Sequence, residues 1–224
     1  IGGAEIELHL DRNFYIKGPW PGSRSNYKIH SLYISSGEWK DSVGGKNAVV
    51  HNNFGTLSKV TKKHYVKGDD GLKKAFDYLE GYSTSRIEFP IDLNQENWTI
   101  AYITRYNPHP NSDTNGRILK GYQGNSIFGH WRNRAGISHQ GGWVNHYDHG
   151  RIKEQKSWIF AIEQPRVLIR RTAKHDWVRF SGGGRIGRDR LTINHGRNGE
   201  NADFNIAELI IFNKKISADD IEKL

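Results

Sequence analysis

The sequence predicts an all-β chain, folded as an antiparallel sandwich or barrel. Short runs rich in β-branched and aromatic residues fill the second half: WTIAYITRYN (98–107), GRILKGY, IFGHW, AGISH, KSWIFAI, RVLIRR, WVRFS, RLTIN and FNIAELIIF. Gly, Asn and Asp separate them at regular intervals, a spacing that favours stacked antiparallel strands over βαβ units. The composition agrees, since 25 Gly, 12% aromatic residues and only 35% apolar residues suit strands joined by polar loops. A chain of 224 residues can bury one substantial core, so a single domain over 1–224 is expected.

The first half is read in order. Ile6, Leu8 and Leu10 alternate with Glu5, Glu7 and His9, the period of a half-buried strand. PWPGSRSN (19–26) is a loop, and YKIHSLYI (27–34) is a strand that ends at Ser35, Ser36 and Gly37. Gly44 and Gly45 place a tight turn in EWKDSVGGKNAVVHN. DDGLKKAFDYLEG (69–81) is open between two readings, a short helix on Leu72, Ala75, Phe76 and Leu79 or a strand carrying AFDYL. At the end, Ser217 caps a short helix over ADDIEKL, with Asp219 and Asp220 in the dipole-favoured first turn. No repeat or linker divides the chain, and its lack of Met, including at position 1, leads to the expectation of a domain cut from a longer protein.

Charge is distributed unevenly. The chain carries +9, yet Arg117 to Arg190 alone holds fifteen bases, eleven of them Arg, against five acids. That stretch also holds His130, His139, His146, His149 and His175 and four of the seven Trp. Such a balance fits an anionic partner, and the planar guanidinium fits carboxylate or phosphate better than Lys does. Cys is absent, which excludes disulfides, thiolate zinc sites and cysteine nucleophiles. No run approaches the roughly eighteen apolar residues of a membrane helix, so no membrane partner is expected. Without a recognition helix or an RNA-binding aromatic signature, no nucleic-acid partner is expected either.

FNIAELIIFNKKISADDIEKL resembles the closing strand and helix of concanavalin A-like, laminin-G-type jelly rolls. IELHLDRN, WKDSVGGKNAVV (39–50) and NWTIAYITRY are similar to the earlier strands and turn of such domains. The resemblance implies a β-jelly roll, a two-sheet antiparallel sandwich, with a short C-terminal helix. ILKGYQGNSIFGHWRNRAGISHQGGWV (118–144) looks like a segment of the polysaccharide-lyase-type, cell-wall-degrading domains of chlorella-infecting viruses, with one extra glycine in HQGGW. That likeness implies a polysaccharide lyase without cofactor or metal, and an acidic, uronic-acid-containing algal wall glycan as partner. It also fits action on the virion or outside the cell on the host wall, and the isolated domain is expected to be a monomer.

The residues themselves fit elimination better than hydrolysis. Hydrolases on this scaffold use paired carboxylates. No Glu-x-Asp-x-x-Glu string occurs, Glu5, Glu7 and Asp11 are wrongly spaced, and the acids of the basic stretch are isolated. A uronate lyase must neutralise the substrate carboxylate, take the C5 proton and protonate the departing O4, which Arg, His and Tyr can do. On strand 98–107, Trp98, Ile100 and Tyr102 are expected to face the core, leaving Arg105 and Asn107 on the other surface. In IFGHWRNR, His130 and Arg132 alternate with Trp131 and are expected to share a face, and Arg134 follows at the turn. Arg105 with Arg134 is assigned to the carboxylate, His139 or His130 to the base, and Tyr122 to the proton donor, with Tyr106 and Tyr147 as alternatives. Lys120 could replace Arg105, and Arg132, Asn107, Trp143 and Arg185 complete the binding set. Glycine after His139 is expected to let a sugar approach the backbone. NHYDHGR (145–151) is either a polar hairpin tip or a metal seat, and SGGGRIGRDR (181–190) a basic loop at the cleft rim. The rival reading is a non-catalytic module for anionic glycans.

Overall fold

In the computed structural model, the described residues are 23–33, 38–41, 48–51, 57–60, 66–67, 73–74, 78–93, 97–145, 156, 158–172, 175–196, 198–212, 214–217 and 221. The β-branched and aromatic runs become strands. In chain order these are β1 Ser23–Tyr33, β2 Glu38–Asp41, β3 Ala48–His51, β4 Leu57–Val60, β5 Val66–Lys67, β6 Lys73–Lys74, β7 Tyr78–Gly81, β8 Arg86–Leu93 and β9 Thr99–Tyr106. There follow β10 Leu119–Gly121, β11 Ile127–Trp131, β12 Arg134–His139, β13 Trp143–Asn145, β14 Ile159–Gln164, β15 Val167–Thr172, β16 His175–Ser181, β17 Asp189–Ile193 and β18 Phe204–Phe212.

Strand pairing is antiparallel and runs β13-β12-β11-β10-β17-β8-β3-β2-β1-β18-β9-β14-β15-β16. The chain of hydrogen bonds folds over on itself at β2. A front sheet, β13 to β3, lies against a back sheet, β1 to β16, with β11 over β9 and β14 and β12 over β14. This is the expected two-sheet sandwich. β7 pairs with β18 beyond the end of β1, so Tyr78–Gly81 within the ambiguous 69–81 stretch is strand. At the C-terminus the Ile221 N–H donates to Ser217 O at 3.0 Å, and the rest of the expected closing helix lies outside the described residues. The Ile6–Leu10 alternation, the Gly44–Gly45 turn, Tyr147 and His146, Asp148 and His149 fall outside the described residues.

Two apolar layers explain why the central strands read as unbroken apolar runs. Between the sheets, Leu119, Phe128, Leu191 and Ile193 meet Ile100, Tyr102, Ile159 and Leu209. On the outer side of the back sheet, Ala101, Ile103, Phe160, Ile162 and Ile210 form a second cluster with Trp158, Ile216 and Ile221. β9, β14 and β18 are therefore buried on both faces. Leu209, fully buried in β18, is a point of failure: truncation to Ala costs about 2–5 kcal/mol. Among the described residues this cluster covers the outer side of the back sheet.

Candidate functional site

On the front sheet the pleat separates core from surface. Ile87, Leu191, Leu119, Phe128 and Val144 point inward, so their neighbours Glu88, Thr192, Lys120, Ile127 and Trp143 point outward, with His139 in the same line. These six are successive register partners across β8, β17, β10, β11, β12 and β13. They form a row over the outer face of the sheet.

At one end of the row is an aromatic platform. Trp131 and Trp143 lie 5.3 Å apart, tilted by 39°, and His139 meets Trp143 edge-on at 4.9 Å. The guanidinium of Arg132 covers Trp131 at 4.5 Å. Trp131 Nε1 donates to Glu200 Oε2 at 3.1 Å, and Arg117 holds that same oxygen at 2.7 Å, so the indole cannot turn. His139 Nδ1 lies 2.8 Å from Asn125 O, an acceptor only, so Nδ1 carries the proton and Nε2 keeps its lone pair. Partial burial lowers its pKa, keeping the ring neutral. Arg134 is the cross-strand partner of Trp131 and is half-buried.

Mid-row, Lys120 is buried against Asn198 and Asn201. Its Nζ donates to Asn198 O and to Asn201 Oδ1, the latter at 2.8 Å. Burial, reinforced by the Arg117 charge, brings it down to about 8. Beyond it a cleft of about 470 Å³ opens between Glu88, Tyr122, Gln123, Arg188 and Arg190. A second cleft of about 340 Å³ shares Gln123 and Arg188 and reaches Asn125, Gly141 and the exposed Arg185. Asp189 shapes both, since its carboxylate accepts from the Gln123 and Gly124 N–H groups at 2.9 and 3.0 Å. The basic 182–188 loop thus stands at a cleft rim.

The structure brings His139, Trp143, Arg132, Tyr122 and Arg185 to this face and Arg134 to its margin, while Lys120 points the same way but is buried. Four other candidates lie elsewhere. His130 lies two residues on from the inward-facing Phe128 and so faces the interior, whereas Arg132, at φ +47°, has left the strand for the turn between β11 and β12. His130 is fully buried, 3.5 Å from Thr104 Oγ1 and edge-on to Tyr106 at 4.8 Å, and burial holds it at about 3. The expected shared face of His130 and Arg132 is therefore corrected. Arg105 sits on the covered side of the back sheet, its guanidinium over Trp158 at 4.5 Å and Tyr78 at 5.4 Å, across the sandwich from His139. Tyr106 is internal and donates to Gly116 O at 2.8 Å. Asn107 is buried, its Oδ1 accepting from the His109 N–H at 3.0 Å. Trp177 packs edge-on to Phe160 in the back layer, at 5.1 Å.

The glycines after His139 admit the chain itself, which corrects the expected approach of a sugar. A Cβ on Gly141 would lie 2.4 Å from Arg185 O, and one on Gly142 2.9 Å from Gly184 N. The Gly184 N–H donates to Gln140 O at 2.9 Å, locking the two loops together.

Solved structures share this architecture. Domain 4 of AbnA, a GH43 extracellular arabinanase from Geobacillus stearothermophilus in complex with arabinotriose, superposes with a TM-score of 0.55 at 11% identity, covering 89% of this chain and 96% of that one. Trypanosoma rangeli sialidase gives 0.50 at 11% identity, covering 92% of this chain but 33% of the sialidase. The same sialidase in complex with sialic acid matches equally, at 0.50. The fold they share is a two-sheet antiparallel β-sandwich. At these identities the likeness reaches the fold and stops there. No protein-family model and no curated protein matches the chain.

Several residues of the face carried no signal in the sequence. Glu200, beyond the end of the basic stretch, and Arg117, at its start, together brace Trp131. His51, Glu88 and His195 converge from β3, β8 and the turn after β17, with their ligand atoms within 4.8 Å of one another. They are scattered along the chain, and no spacing rule joins them.

Proposed function

We propose that the outer face of the front sheet binds an acidic, uronic-acid-containing polysaccharide. The observation that carries this reading is the platform of Trp131, Trp143 and His139 with Arg132 beside it. Sugar rings stack their C–H faces on indoles, and a guanidinium at the edge can take a uronate carboxylate bidentately. The arabinotriose complex of the AbnA domain supports the reading by analogy of fold.

Cleavage by β-elimination extends it, and the orientation of His139 favours this. With Nδ1 engaged by Asn125 O, Nε2 is the base that would take the C5 proton. The electron pair left behind forms the C4–C5 double bond as the C4–O4 bond breaks. O4 leaves with a proton from Tyr122, while Arg132 or Arg134 neutralises the carboxylate. Of the roles first assigned, those of His130 and Arg105 are given up because neither shares this face. The likeness of 118–144 to chlorella-virus lyase-type domains makes algal wall glycans the first substrates to try.

The chain is incubated with polyglucuronate, alginate and algal walls, following both retention on the polymer and the ultraviolet absorbance of unsaturated ends. Retention with rising absorbance, both lost in Trp143→Ala and only the second lost in His139→Ala, is the expected result. Retention without absorbance leaves a binding module. Neither on any uronic-acid polymer overturns the reading.

A further inference from the structure

We propose that His51, Glu88 and His195 form a binding site for a divalent late-transition-metal ion, zinc by its ligand chemistry, beside the Tyr122 cleft. The inference is independent of glycan binding.

Three elements deliver the ligands. Glu88 lies mid-strand in β8, with Val49 of β3 as its register partner. His51, two residues on from Val49, projects to the same side. His195 comes from the turn after β17. Asn194, at φ +51°, reverses the chain there, and its amide is pinned to the Ala202 N–H and C=O at 3.0 and 2.8 Å. Thr192 Oγ1 donates to His195 O at 2.7 Å. A Cβ on Gly196 would strike Tyr122 O at 2.4 Å, so the turn is seated against Tyr122, whose ring is 5.1 Å from that of His195.

The ligand atoms face one another without bonding. His51 Nε2 and His195 Nε2 are each 3.6 Å from Glu88 Oε2, too far for a hydrogen bond. Zinc with bonds of 2.0–2.1 Å places its ligands about 3.3 Å apart, so small side-chain shifts complete the set. Of the facing ligand atoms, His51 Nε2 is buried and has no hydrogen-bond partner. Arg190 takes Glu88 Oε1, which leaves Oε2 turned to the imidazoles, as outer-sphere partners of metal carboxylates do. Arg86 and Lys120 also stand near His195, and with Arg190 they disfavour a cation held by charge alone. That selects ions that bond well to imidazole, zinc or copper, over calcium or magnesium. Glu88 and Tyr122 also wall the cleft, so a fourth ligand position would open toward it.

The test uses the whole chain, freed of metal with a chelator and titrated with zinc chloride by calorimetry, and with cobalt(II) followed by visible absorption. One equivalent of zinc should bind, and cobalt should give the intense bands of a tetrahedral site. Glu88→Gln and His195→Ala should each weaken zinc binding by about a hundredfold or more, beyond what outer-sphere changes cause. Circular dichroism checks folding, and His51→Asn, at a side chain 31% exposed, replaces any variant that unfolds. Three results overturn the proposal: no zinc heat with only weak octahedral cobalt bands, affinity unchanged in the folded variants, or binding abolished by His146→Ala with His149→Ala.

Discussion

The interior of the sandwich and its front face use the same residue types to opposite ends. Inside, Glu163 accepts from Tyr102 Oη at 2.5 Å, Ser138 Oγ at 2.5 Å and Gln140 Nε2 at 3.0 Å, and Gln140 Oε1 in turn accepts from the Arg166 N–H at 2.6 Å. On the front face, Glu88 is held by Arg190 on one oxygen, while its other oxygen looks across unbonded space at two imidazoles. Glu163 sits among Tyr, Ser and Gln, and Glu88 between two His. What separates them is whether their partners are satisfied, because a closed network has no bonding capacity left for a ligand. His130 also has an unpartnered Nε2, but its neighbours are Thr104 and Tyr106 rather than a carboxylate and a cleft.

The comparison breaks most visibly at Glu163. Its replacement by Ala strands Tyr102 Oη, Ser138 Oγ and Gln140 Nε2 in the core, and should cost about 3–5 kcal/mol in denaturant unfolding. Glu88→Ala should cost roughly 1 kcal/mol or less, as for an exposed ion pair. Equal losses would erase the distinction.

Acid–base behaviour sharpens it. Burial raises Glu163 from 4.5 to about 7, so the native state keeps a proton that the unfolded chain releases. The resulting stability is complete below pH 4.5 and is lost as pH rises to 7. His130, pushed from 6.5 to about 3, works the other way: its contribution is complete above pH 6.5 and is lost as pH falls toward 3. The two oppose each other between pH 4.5 and 6.5, and their combined contribution is nearly flat there. Glu163→Gln should expose a rise of up to about 1.4 kcal/mol per pH unit across that window, and His130→Gln a fall of similar slope, read from the urea midpoint. A flat profile in both variants would show that neither group titrates as its burial requires.

On the platform, Trp143→Ala should weaken acidic-glycan binding by about tenfold or more while costing little stability, because the indole is half-exposed. A loss of folding as large as that of Glu163→Ala would make the platform structural. Smallest of all, Arg132→Ala should weaken binding by a few fold and reduce its salt dependence, with unfolding unchanged, as expected of an exposed charge.

Much of the fold is legible in the residues. WTIAYITRY, KSWIFAI and FNIAELIIF are central strands because few other structures bury side chains on both sides of so short a run. The turn residues between the later runs fall at the observed strand ends. The site was legible in part. His139, Trp143 and Lys120 follow the pleat of their strands to one side of the sheet, whereas His130 shares the inward side of Phe128 and Arg132 lies in the turn that follows. Arg105 does lie on the side opposite Tyr102, as alternation requires, but alternation cannot tell which of two surfaces a sheet leaves open. In this fold Trp158 and Tyr78 close over it.

Local order, strand by strand, was determined by the sequence alone, since backbone hydrogen bonding and side-chain period act over a few neighbouring residues. Which polar groups meet was decided only by the tertiary structure. Strand pairing set Lys120, Ile127, His139 and Trp143 in one row, and brought His51, Glu88 and His195 within 4.8 Å. Such meetings depend on strand order and register, which are chosen by the packing of the whole core and leave no mark in the spacing of the residues they join.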